Sequence, residues 1–125
     1  MKNQHRAVFL ISMALVLGFA WGIAGAHQES DSVQTITGEV VDLACYLDHG
    51  ASGAPHQDCA QKCISMGLPV GIKSGDHLYL AVTSDHNPAN KTLASLAGKQ
   101  VTAEGTVSER DGVHLLAIKK VTVKE

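Results

Sequence analysis

Cys45, Cys59 and Cys63 are the only cysteines in this 125-residue chain, and they fall within 19 residues of one another. His56 stands three residues before Cys59, and Cys63 four after it, a spacing that Met66 extends by three more. On a helix turning about 100° per residue, these four side chains share one arc of about 80°. Thiolate and imidazole together are the ligand set of zinc, copper and iron, and four such groups hold a borderline-soft ion. Cys45 precedes the loop that leads into this helix and is placed to meet the same face. The candidate metal site is therefore Cys45, His56, Cys59 and Cys63, with His49 of the loop as a reserve ligand. Met66 reads as core filler. Asp42 is either a partner that orients a ligating group or a solvated carboxylate at a strand end.

A disulfide competes with the metal. Cys45 bonded to Cys59 or Cys63 would staple a small domain, whereas Cys59 and Cys63, four apart on a helix, do not easily reach disulfide geometry. The odd count leaves one thiol, which an oxidising compartment consumes unless it is buried or metal-bound. A thiol redox centre is a third reading, and the three stay open. His77, His86 and His114 have no chemical companion nearby in sequence and read as surface histidines. The chain has no nucleophile elbow, phosphate-binding glycine loop, H-E-x-x-H or haem-attachment motif, so no enzyme is indicated.

Compartment is read from the first 26 residues. Lys2 and Arg6 form a basic tip, Ala7 to Ala26 carries no charge, and Ala24-Gly25-Ala26 fits the small-residue pattern that a signal peptidase cuts. The expectation is a signal peptide at 1–26, removed on export. A retained anchor is the alternative, since 20 uncharged residues can cross a bilayer, and it would be the domain's one contact with the membrane. Both place the remainder in the periplasm or outside the cell. Cleavage lowers the basic count from 10 to 8 against 12 acidic residues, a net charge of −4. That sign disfavours nucleic acid and anionic lipid, and only Tyr46 and Tyr79 remain to stack on bases. The core must be aliphatic, and at 99 residues it gains from a disulfide or a metal.

The elements that would position these groups follow from pattern and punctuation. After a flexible lead-in at 27–33, Thr35 to Leu47 reads as a long strand that bends or bulges near Gly38. A loop over 48–54 precedes a helix from Pro55 to Met66, ended by Gly67 and Pro69. Leu68 to Lys73 and His77 to Ser84 read as strands flanking a turn at Ser74-Gly75-Asp76. Asn87-Pro88 opens a second short helix with Leu93, Leu96 and Ala97 as its apolar stripe, closed by Gly98. The tail alternates along Val101 to Ser108, turns at Asp111-Gly112 and returns along Val113 to Val123. The sum is a mainly β domain over 34–125: a small five-stranded OB-like barrel with a Cys/His-bearing helix after the first strand.

The run Thr37 to Asp42 leading to Cys45, the segment from His56 through Cys59-Ala60 and Cys63 to Gly67, Pro69 and Gly71, and the closing Gly98-Lys99 to Val107 resemble small exported bacterial OB-like β-barrel proteins of poorly defined function. The resemblance spans nearly all of the chain after residue 26, and its most specific piece is the D-x-x-C with H-x-x-C-x-x-x-C element. It implies that Cys45, His56, Cys59 and Cys63 act together. The functional expectation is an exported binding module for a transition metal (zinc, copper or iron) or another cofactor, serving metal handling or electron transfer. The alternative is a disulfide-stabilised structural or adaptor domain; in either case the expected partner is another exported or membrane protein.

Overall fold

Strand β1 spans Val33–Asp42 and changes neighbours along its length. Its first part lies antiparallel to β4 (Gln100–Arg110), from Val33 opposite Thr106 to Glu39 opposite Gln100. Its last residues lie antiparallel to β2 (Val70–Ser74), from Glu39 opposite Lys73 to Asp42 opposite Val70. A Cβ at Gly38 would come within 2.2 Å of the Lys73 carbonyl oxygen, so the strand changes partner where no side chain obstructs the approach. The irregularity of register lies elsewhere, between Glu104 and Gly105 of β4. These features belong to a computed structural model that describes residues 32–125. The expected signal peptide at 1–26 and the lead-in up to residue 31 lie outside the described residues.

From β2 the chain turns into β3 (His77–Thr83), which runs parallel to β5 (Val113–Val123), and β5 pairs antiparallel with β4. The β4–β5 hairpin turns at Asp111 and Gly112, with φ of 52° and 80°, the left-handed conformation that a two-residue hairpin turn demands. The order β1-β2-β3-β5-β4 closes on itself. The chain is thus a mainly β, five-stranded OB-like barrel, as its pattern predicts. Alternate strand residues fill the interior, with Val40, Ile72, Val101, Ala103 and Leu116 at 3% exposure or less.

Among the described residues three short helices accompany the barrel, one more than expected. The long first strand stops at Asp42, and Leu43–His49 is a helix, α1. Asp42 Oδ1 accepts a hydrogen bond from the Ala44 N–H (3.0 Å), and Gly50, at φ 72°, closes the far end by donating its N–H to the Cys45 and Tyr46 carbonyls. An aspartate N-cap and a glycine C-cap outweigh the β-branched run before them. The expected second helix, α2, covers Gln57–Ser65, and a 3₁₀ turn over Ala54–His56 leads into it. Its Ala60 and Ile64 are buried in the barrel core, so α2 plugs one end of the barrel. Helix α3 is a single turn, Asn90–Leu93, continued by a 3₁₀ turn at Ala94–Leu96. Asn87 does not cap it; the Asn87 side chain donates to Asp85 in the preceding turn.

Candidate metal site

Among the described residues, Asp42 is the one polar side chain that is fully buried, at 1% exposure. The β1–β2 ladder holds its backbone opposite Val70, and the Leu43 N–H donates to the Pro69 carbonyl (3.0 Å), so the chain cannot swing the carboxylate out to water. One oxygen caps α1. The other, Oδ2, is buried without a hydrogen-bond partner of ordinary geometry. The reading of Asp42 as a solvated strand-end carboxylate is thereby corrected: the strand ends on the inside of the α1 junction.

Cys45 follows one helical turn later. Its hydrogen bond to the Asp42 carboxylate, then its partial burial and the negative charge of Asp42, push this thiol up to about 12. Cys63 on α2 is also raised, by desolvation first and then by the neighbouring Cys59. The ligand atoms of Asp42, Cys45 and Cys63 all lie within 4.8 Å of one another.

A second set converges on the same sulfur. The ligand atoms of Cys45, His49 and His56 also lie within 4.8 Å of one another. His49, in the last turn of α1, is exposed and has Nδ1 3.2 Å from Asp48 Oδ2. Its ring meets that of His56 edge-on, with centroids 6.1 Å apart. His56 Nε2 is buried and has no hydrogen-bond partner. The loop before His56 is tied down from below, because Glu39 Oε1 accepts from the Gly53 N–H. Glu39, Asp42, Gly53, His56 and Gly98 line a narrow crevice over this end of the barrel.

Of the four candidate ligands, Cys45 is therefore brought to both His56 and Cys63, which lie in different sets. Cys59 is beside Cys63 but exposed, and belongs to neither set. Two causes separate the arc drawn from the sequence. His56 lies in the 3₁₀ turn, where side chains do not follow a 100° step. The buried stripe of α2 is Ala60 and Ile64, which leaves the Cys59 side of the helix facing outward. Met66 is 64% exposed at the C-terminal cap, so its reading as core filler is corrected. All three cysteines are unbonded.

Sequence reasoning gave Asp42 and His49 secondary roles, and neither was placed among the four. Helical phase would have promoted both: once α1 is read from its caps, Asp42, Cys45 and His49 are three and four residues apart, on one face. On the far wall of the barrel His77 and His114 also meet, with ring centroids 5.1 Å apart, and Tyr79 is 5.5 Å from His114. Parallel pairing sets Tyr79 directly opposite His114, and Glu109 Oε2 is 3.5 Å from His114 Nδ1. No protein-family model, curated protein or solved structure matches the chain.

Proposed function

We propose that the protein is an exported metal-binding module whose site is centred on Cys45, with Cys63 and His56 as ligands from the helix that plugs the barrel. The observation that carries this reading is the gathering of soft donors beside two residues with a buried polar atom, Asp42 Oδ2 and His56 Nε2, that finds no hydrogen-bond partner of ordinary geometry. An unpaired buried polar group costs about 1–3 kcal/mol, and more when charged, and ligation of a cation removes that cost. A mixed set of thiolate, imidazole and carboxylate suits zinc or copper. With zinc the role is metal handling; with copper, electron transfer is open to the same residues. The formal charge of −4 after residue 26 agrees with a cationic ligand and opposes nucleic acid.

Elemental analysis of the purified exported protein, paired with a thiol count under denaturing conditions, tests the proposal. Near-stoichiometric metal with three titratable thiols supports it. The competing reading is a disulfide-stapled adaptor, in which Cys45 and Cys63, whose ligand atoms lie within 4.8 Å but are unbonded, would have to close to bonding distance. No metal and a single titratable thiol would select that reading instead.

A further inference from the structure

Cys45 and the four donors around it do not form one coordination sphere. Asp42 and Cys63 form one set with the Cys45 sulfur, and His49 and His56 form a separate set with it; each set of three is mutually within 4.8 Å. A single ion with ligand bonds of about 2.0–2.3 Å holds its donors no further than about 4.6 Å apart, which each set approaches on its own. Each set also contains one of the two residues that carry a buried polar atom without a hydrogen-bond partner of ordinary geometry, Asp42 (Oδ2) in the first and His56 (Nε2) in the second. One ion in the first set leaves His56 unsatisfied, and one ion in the second leaves Asp42 unsatisfied.

Resting on the metal-binding reading above, we infer that the site has two cation positions bridged by the Cys45 sulfur: an inner one held by Asp42, Cys45 and Cys63, and an outer one held by Cys45, His49 and His56. A thiolate has lone pairs enough to bind two cations. The inner position carries the carboxylate and two thiolates, so it takes a divalent, borderline-soft ion first. The outer position adds two neutral imidazoles to the shared sulfur. It opens to solvent through exposed His49, so the outer ion exchanges faster.

Cobalt(II), titrated alone into the reduced, metal-free protein, reads both stoichiometry and sulfur ligation. Two equivalents are expected, and the second raises the thiolate-to-cobalt charge-transfer absorption as the first does, because Cys45 touches both ions. The double variant His49→Ala/His56→Ala should take one equivalent and keep the charge-transfer band. Cys63→Ser should weaken the inner position at least tenfold. One equivalent at saturation in the wild type overturns the bridge and leaves a mononuclear metal protein standing, and a second equivalent without charge transfer overturns the bridge while leaving the metal reading in place. No equivalent at all overturns the metal reading itself.

Discussion

Asp42 and Cys45 face each other across the first turn of α1, the carboxylate capping the helix with one oxygen while the thiol leans on the same group. Both jobs depend on the residue that ends β1, yet they separate chemically. Asparagine caps a helix as well as aspartate does but carries no charge.

Asp42→Asn should therefore keep the fold and release Cys45. In the metal-free protein a thiol raised to about 12 is thiolate in only about one part in 10⁴ at pH 8. Alkylation of Cys45 with iodoacetamide, followed by peptide mass mapping, should be slow in the wild type and at least tenfold faster in Asp42→Asn. The stability that the raised thiol contributes is complete below its unfolded value near 9 and is lost as the pH rises toward 12. Melting temperatures of the metal-free protein should fall across that window, and less steeply in Asp42→Asn. Equal alkylation rates in the two proteins would show that the carboxylate does not govern this thiol.

Cys59 and Cys63 sit on the same helix, but only Cys63 shares a set with Cys45. Cys59→Ser should leave the metal content unchanged and shift stability by no more than about 0.5 kcal/mol, as for a surface site. Cys63→Ser should lose bound metal. A Cys59 variant that loses metal while Cys63→Ser keeps it would reverse the assignment.

Asn90 fixes α2 to the body of the protein. Its side-chain amide donates to the carbonyls of Ile64 (2.8 Å) and Leu68 (2.7 Å), at the end of the helix that carries both thiols. Asn90→Ala leaves those carbonyls without this donor and should cost about 1–3 kcal/mol. In a domain of this size that lowers the melting temperature by about 4–8 °C per kcal/mol. Asn87→Ala, in an exposed turn, is the control and should stay within about 0.5 kcal/mol. Matching melts for the two variants would deny Asn90 its anchoring role.

What could be read from the sequence was what local chemistry decides. Asp111-Gly112 between alternating runs specifies the closing hairpin, and Pro55 with Gly67 brackets α2 to within a residue or two of its ends. α1 escaped because Leu43-Ala44-Cys45-Tyr46-Leu47 resumes an apolar run interrupted only by Asp42, and seven residues are too few for a 3.6-residue period to declare itself. Its remaining markers were Asp42 and Gly50, eight positions apart. Long-range placement was illegible for a different reason. The meeting of His77 with His114 depends on a parallel strand pair whose register no local residue encodes. The convergence of His56 with Cys45 likewise depends on how a 3₁₀ turn aims one ring.

Gly38 tests how closely site and barrel are joined. A Cβ there would meet the Lys73 carbonyl oxygen at 2.2 Å and Ile72 Cγ2 at 2.9 Å, one a backbone atom and the other part of a fully buried side chain. Neither can yield, so Gly38→Ala must part β1 from β2, and that ladder is what holds Asp42 opposite Val70. Overpacking a core costs about 1–3 kcal/mol, and a backbone collision belongs at or above the top of that range. Gly75→Ala is the comparison: its φ of 54° makes a side chain strained, but nothing lies within 4 Å, so only about 1 kcal/mol of conformational cost is expected. Denaturant melts should rank Gly38→Ala far below Gly75→Ala, and metal content should fall only in the former. If Gly38→Ala melts like Gly75→Ala and keeps its metal, the β1–β2 crossing does not set the position of Asp42.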